Sequence, residues 1–308
     1  MPDMRFSIWP GAARPWDEIL QLASHCEQTG WDGVYFADHF MPNGTGPQPL
    51  DGDYLECWSV IAALAASVPR VRLASLVTSV TYRHPAVLAK IASAVDQVSA
   101  GRLTLGIGAG WQQNEHAAYG IPLGSVRERM DRFEEATQIL RSLLGQPRTT
   151  FSGRYFQLED APNQPAPVQH PMPLLVGGGG ERRTLRIAAR YADEWNAWTT
   201  PELLRHKVSV LAAHCAQAGR DPGQIRVSTQ ALLFLSTDKE WLADKRAPEG
   251  QAGPPRIVGT PDEVADIVAR YRDAGADEVI IPDFTLGSLA RAKDTCDLFM
   301  QEVVPAFR

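Results

Sequence analysis

Cysteine is scarce in this chain of 308 residues. Cys26, Cys57, Cys215 and Cys296 are scattered, with no CxxC and no metal-ligand spacing. That pattern excludes a disulfide framework and fits small core residues kept reduced in a cytoplasm. No HxH, HExxH or clustered His/Asp pattern points to a metal site, so no metal ligand is assigned. A GxSxG elbow for a serine hydrolase is also missing. No segment reaches the ~20 unbroken apolar residues of a membrane span. The opening MPDMRFSIWPG lacks the basic region and apolar core of a secretory signal. A cytoplasmic protein without a membrane partner is therefore expected. Positive charge is in deficit: the formal net charge is −6 and long basic runs are absent, which argues against nucleic acid as a partner. Local arginines and backbone amides can still bind a small anion.

What is present is an alternation of strand-like and helix-like segments, with an apolar fraction of 44% that suffices for a large core. Strands are predicted at Arg5–Trp9, Gly33–Phe40, Val71–Val80, Arg102–Gly110, Pro173–Gly177, Asp193–Ala197, Ile225–Leu235 and Asp277–Pro282. Helices are predicted between them, among them Pro15–Thr29, Val126–Leu144, Pro201–Gln217 and Pro261–Ala274, the last entered through Thr260 as cap. TTFSGRYFQLED reads as a hairpin around Ser152-Gly153, followed by a Pro-rich stretch, an excursion spanning about 148–172. WLADKRAPEGQAGPPR, residues 241–256, reads as a mobile loop on the top face. Eight βα units without a composition break, repeat or heptad predict a single α/β domain over 1–308, a (β/α)8 TIM barrel. A doubly wound sheet is the alternative. In a barrel, function gathers on the loops that follow the strands.

Unusual residues cluster there. Leu175–Asn196 reads LVGGGGERRTLRIAARYADEWN, with four consecutive glycines closing an apolar run and a helix opening behind them. Glycines let successive N–H groups point inward, and a helix N-terminus adds partial positive charge, which suits a phosphate. Arg182 and Arg183 are candidates to face the anion; a tight turn without a ligand is the plainer reading. Asp38-His39 ends the second strand, where a carboxylate beside an imidazole can poise a proton. Adjacent strand residues point to opposite faces, so alternation leaves room for a structural role for one of the two. Gly106-Ile107-Gly108-Ala109-Gly110-Trp111 ends the fourth strand, and its glycines permit close approach of a flat ring. Gln112, Asn114 and Glu115 add hydrogen-bonding groups, whereas His116 and Tyr119 read as surface packing. The match to a dinucleotide fingerprint is poor because no helix opens promptly after the glycines.

In this order, GWDGVYFADHF, LVTSVTYRHPAVLAKIASAVDQVSAGRLTLGIGAGW, EHAAYGIP and LLVGGGGERRTLRIAARYADEWN resemble the luciferase-like flavin and deazaflavin oxidoreductases. The wording is closer to the branch that uses coenzyme F420. The resemblance implies a luciferase-like barrel holding an isoalloxazine-like ring at its top. It implies that Asp38 and His39 lie by the ring, and that Ser79-Val80 is a non-proline cis peptide buttressing one ring face. It implies that Ala109, Gly110 and Gln112 touch the cofactor, that Gly177, Gly178, Gly179 and Gly180 hold its phosphate, and that the protein is a homodimer. Ala109 stands where some relatives carry an acid, and Gln112 where an Asn is common, so His39 or a substrate group becomes the leading candidate for proton donor. The lysines that bind a sugar phosphate in one subgroup have no evident match.

These features lead to an oxidoreductase that transfers a hydride between F420 and an unidentified small organic substrate. His39 shuttles a proton, Asp38 bonds ring or partner groups, and Trp9, Trp111 and Trp195 shape an apolar wall. FMN shares the ribityl phosphate, so an FMN-dependent monooxygenase using reduced flavin and oxygen is the alternative. A non-catalytic flavin-binding protein ranks below both.

Overall fold

The computed structural model describes residues 3–44, 46–246 and 253–308. Eight parallel strands form its centre: β1 (Arg5–Trp9), β2 (Gly33–Phe36), β3 (Arg72–Ser75), β4 (Leu103–Gly108), β5 (Leu174–Gly177), β6 (Glu194–Trp198), β7 (Arg226–Gln230) and β8 (Glu278–Pro282). Each pairs with its sequence neighbours, β1 pairs with β8, and β3 pairs with β4, so the sheet closes into the expected TIM barrel. The strands read as short apolar runs because both faces are covered.

Alternation along each strand separates two cores. Phe6 and Ile8 of β1, Val34 and Phe36 of β2 and Leu103, Leu105 and Ile107 of β4 point outward into the shell shared with the helices. Trp9, Tyr35, Ala37, Ala74, Leu76, Leu175 and Ile280 point inward and form a smaller central cluster. The helices start where local chemistry allows. Ser125 and Glu128 form a reciprocal capping box ahead of Val126–Gly145, and Pro85 occupies the first turn of Pro85–Val98. The four cysteines are buried and unpaired. No helix among the described residues is long and apolar enough to cross a membrane.

The predicted hairpin forms from Arg148–Ser152 and Gln157–Pro162, paired antiparallel. Two strand expectations need correction: the predicted third strand, Val71–Val80, is interrupted at Leu76-Val77 between Arg72–Ser75 and Thr78–Ser79, and the seventh is divided as well. The predicted seventh strand breaks at Ala231: Arg226–Gln230 stays in the barrel, while Leu232–Leu235 leaves it and pairs with Arg256–Gly259. The stretch read as a mobile loop contains part of the helix Lys239–Ala243 and begins that added strand at Arg256. Residues 247–252 of it lie outside the described residues.

The lower barrel interior is ionic. Arg72 donates to Glu194 at 2.9 and 3.0 Å, to Glu278 at 3.3 Å and to Thr104 at 2.9 Å. Ser7 donates to Glu278 at 2.5 Å and Tyr35 to the same carboxylate at 3.1 Å. The Glu194 and Glu278 side chains are 5% and 1% exposed, and Arg72 is the cation that pairs with both in place of solvent. Burial pushes the Glu194 carboxyl above its ordinary value even with Arg72 beside it. Replacing Arg72→Met leaves two buried carboxylates facing each other, and should lower unfolding free energy by about 3–5 kcal/mol at neutral pH. The loss should shrink as pH falls and the Glu194 carboxyl takes a proton; urea melts at two pH values measure both.

Candidate active site

The strand C-termini surround a cavity of about 460 Å³, within the range of a small-molecule or cofactor site. Its floor is set where the chain leaves the sheet after β3. The Leu76–Val77 peptide is cis and non-proline, and the chain then rejoins the sheet by pairing Thr78 with Ile107 and Ser79 with Gly108. The cis bond is therefore three residues earlier than expected, and Ser79-Val80 does not carry it. Val77 occupies the space left by two missing side chains. A Cβ on Gly108 would stand 2.7 Å from Val77 Cγ2, and one on Gly177 would stand 2.7 Å from Val77 Cγ1. A Cβ on Gly106 would collide with the Ser75 carbonyl oxygen. The glycines of β4 thus admit Val77 and the β3 backbone, and Val77 presents the surface a flat ring would meet.

Most of the residues singled out from the sequence meet in this cavity. Asp38, His39, Ser79, Ala109, Gly110, Gly177, Gly178 and Gly179 line it. Three do not. Val80 is buried in the outer shell and donates its N–H to Gly108. Gln112 is 1% exposed and turns its amide to the Met41 carbonyl at 3.1 Å, tying down the loop after β2. Gly180 lies just beyond the lining, and Thr184 Oγ1 stands 2.8 Å from where a Gly180 Cβ would be. Of the three tryptophans, Trp9 and Trp111 line the cavity. Trp195 points outward and donates its Nε1–H to the Gly178 carbonyl at 2.9 Å, so it holds the glycine loop from behind.

The glycine loop forms a cradle. Gly178 donates to the Asn196 carbonyl at 2.8 Å, which anchors one end, and the helix Thr184–Tyr191 follows. The N–H groups of Gly179 and Gly180 have no partner among the described residues. Arg183 is turned away, 2.7 Å from Asp131 and 3.5 Å from Glu134. The cation beside the loop is instead Lys207, whose Cε lies 3.9 Å from the position of a Gly179 Cβ and whose Nζ donates to Glu181 at 2.6 Å. Its place on the helix Pro201–Gln217 gave no sequence signal, because only the fold brings that helix to the loop.

On the other side stands a hydrogen-bonded acid. Glu115, on the short helix Gln113–Ala118, is fully buried. It bonds His39 Nδ1 at 2.7 Å, and accepts from the Phe40 N–H at 2.8 Å and from the Tyr82 hydroxyl. Burial alone would raise its pKa, but these bonds hold it below the ordinary carboxylate range. Burial and the Glu115 partner push the Tyr82 phenol far up. An ionised Glu115 only accepts, so Nδ1 of His39 carries the hydrogen and Nε2 is left to exchange a proton. His116, expected at the surface, is buried; it bonds the Gln112 carbonyl at 2.6 Å and Thr81 at 2.7 Å, and Thr81 in turn bonds Ser79 at 2.6 Å. Burial lowers its pKa, which favours the neutral ring.

Asp38 and His39 both reach the cavity because β2 ends at Phe36 and strand alternation no longer applies. Arg83 bonds Asp38 at 2.6 and 3.3 Å, and also reaches Glu56 at 2.5 Å. Burial raises the Asp38 pKa to about 6 despite Arg83. Among the described residues no group of three or more His, Cys, Asp or Glu could hold a metal.

A closed βα barrel with a glycine cradle and an oriented histidine at its mouth belongs to the cofactor-binding barrels. The match to a family model settles which: residues 4–254 fit the luciferase-like monooxygenases, and the chain belongs to that family. It is 30% identical over 224 residues to the F420-dependent hydroxymycolic acid dehydrogenase of Mycobacterium tuberculosis, a match covering 72% of this chain and 60% of that protein. The chain thus spans less than two thirds of that relative's length. It is 34% identical over 301 residues to the F420-dependent glucose-6-phosphate dehydrogenase of Intrasporangium calvum, covering 86% and 88% of the two chains. The coenzyme F420-dependent tetrahydromethanopterin reductase of Methanopyrus kandleri shares the fold over the full length of both chains, with a TM-score of 0.83 at 17% identity.

The raised Asp38 pKa has a testable sign. The folded protein binds a proton here between roughly pH 4 and pH 6, where an unfolded chain does not. This group's contribution to stability therefore falls as pH rises through that window. Its side-chain carboxyl ¹³C resonance should titrate with a midpoint near 6, and Arg83→Met should move the midpoint higher. A midpoint near that of a free aspartate would show that burial is not in control.

Proposed function

We propose that the barrel mouth binds the deazaflavin coenzyme F420, and that the protein is an oxidoreductase moving a hydride between it and a small organic substrate. One observation carries the reading: the glycine cradle, the Val77 floor and a histidine oriented by a buried acid share a single cavity. Two relatives named as F420-dependent dehydrogenases support the choice of cofactor. The residues present fit such a group. Gly177–Gly179 with Thr184 and neighbouring Lys207 suit a ribityl phosphate, Val77 suits one face of the ring, and Asp38 suits its polar edge.

When bound, F420 supplies the acceptor or donor of the hydride. The protein's own part is binding, orientation and the proton. Nε2 of His39 takes the proton that an alcohol O–H releases as it becomes a carbonyl, and returns it in the reverse direction. Glu115 fixes the ring and stabilises the imidazolium. The apolar floor of Val77 and Leu76 disfavours water beside the reacting carbon. In keeping with the family resemblance, the proposal extends to a homodimer in the cytoplasm.

Titration with oxidised F420 and with FMN tests the cofactor. The expected result is saturable binding of F420 and weaker binding of FMN. The second reading, an FMN-dependent monooxygenase, has support in the family's description. Binding of FMN alone, with substrate-dependent oxygen uptake by the reduced form, would establish it instead. With F420 and a turned-over substrate, His39→Ala should lower kcat/KM by ~10²–10⁴ while the Kd for F420 holds. Glu115→Gln should lose part of the same factor without changing that Kd, because the acid acts through His39.

A further inference from the structure

One polar side chain of the cavity has no role in the chemistry above. Gln230 ends β7 and is 3% exposed, yet it lines the cavity and its Oε1 has no hydrogen-bond partner among the described residues. Alternation on β7 explains the placement. Arg226, Ser228 and Gln230 face the axis, and Ser228 accepts from Asn196 at 3.0 Å, whereas Thr229 faces out and bonds Thr199 at 2.7 Å. On the same strand face Ser228 is employed in the fold, since it also donates to the Trp195 carbonyl at 3.4 Å. A buried amide left without a partner costs free energy, and such a cost persists where a ligand group removes it.

Its surroundings are aromatic. Gln230 is in register with Trp198 of β6, and the Trp198 ring lies 5.9 Å from that of Trp9, which in turn meets Phe284 edge-on at 5.1 Å. Among the described residues no lysine or arginine lines the cavity. Arg83 is committed to Asp38 and Glu56, and Lys207 to Glu181 at the cradle. Residues 247–252 contain neither lysine nor arginine. A phosphate or carboxylate brought against Trp9 and Trp198 would be desolvated with no cation to answer it.

We infer that Gln230 is the specificity-determining residue of this site. Its amide hydrogen-bonds an oxygen function of an uncharged substrate whose apolar body rests on Trp9 and Trp198. This rests on the oxidoreductase reading and adds the substrate class: a neutral alcohol or ketone with a second oxygen, as distinct from a sugar phosphate. His39 serves the reacting oxygen, and Gln230 takes the other.

The test uses the whole protein saturated with oxidised F420, with quenching of tryptophan fluorescence as the readout. The probes are cyclohexanone, 4-hydroxycyclohexanone and glucose 6-phosphate. Failure of F420 to bind would defeat the cofactor reading and can be told apart at that first step. The expected result is that 4-hydroxycyclohexanone binds roughly tenfold more tightly than cyclohexanone, the worth of one hydrogen bond to a buried, otherwise unpaired group. Glucose 6-phosphate should bind more weakly than either. Gln230→Leu should abolish the preference between the two ketones and leave the Kd for F420 unchanged. Gln230→Met serves the same purpose if the leucine variant does not fold. A purely structural Gln230 would leave the ratio of the two affinities intact. An unchanged ratio in the variant, preference for glucose 6-phosphate, or binding of none of the three probes would overturn the proposal.

Discussion

The active-site end of this barrel depends on Val77 filling the space that Gly108 and Gly177 leave open. Two strand ends, β4 and β5, give up their inward side chains, and a residue from the loop after β3 enters across them. The consequence is a cavity with a rigid apolar floor in place of an ordinary top layer of barrel side chains. Every other element of the site is placed relative to that floor. The cradle begins one residue beyond Gly177, and the Ser79–Thr81–His116 chain braces the strand segment that rejoins β4.

Charge is distributed along the barrel axis with the same economy. At the lower end Arg72 satisfies Glu194 and Glu278 inside a closed ring of strands, where the ions serve the fold. At the upper end two further buried acids have distinct environments. Asp38 has a cation for a partner and still sits high because burial dominates. Glu115 sits low because it collects three hydrogen bonds. Divergent environments for neighbouring titratable groups are what proton-transfer sites require. They also assign roles, with Glu115 as the fixed charge that orients His39 and Asp38 as the group nearer to changing its protonation state.

The legible part of the site was the part carried by backbone chemistry. Gly177–Gly179 and Asp38-His39 announce themselves by residue type at a strand end, and both reach the cavity. The glycines of β4 are visible as well, but the sequence does not show that Val77 packs into the space they leave. They admit a valine from the same protein before they admit any ring. Gln112 and Val80 hold positions that the family resemblance places at the cofactor, yet both lie outside the cavity, since a local pattern does not say which way a side chain turns. Trp195 has the composition of a wall and serves as a hidden strut, while Trp198, three residues on, faces the cavity.

By itself the sequence determined the barrel, the order of its units and the loops that carry function. Those follow from hydrophobic period, capping residues and turn chemistry, which act over a few residues. Tertiary structure alone decided the partners: Glu115 with His39, Lys207 with the glycine loop, and the unpaired amide of Gln230 beside Trp9 and Trp198. Each of these joins elements far apart in the chain, and only closure of the sheet brings them within hydrogen-bonding or contact distance.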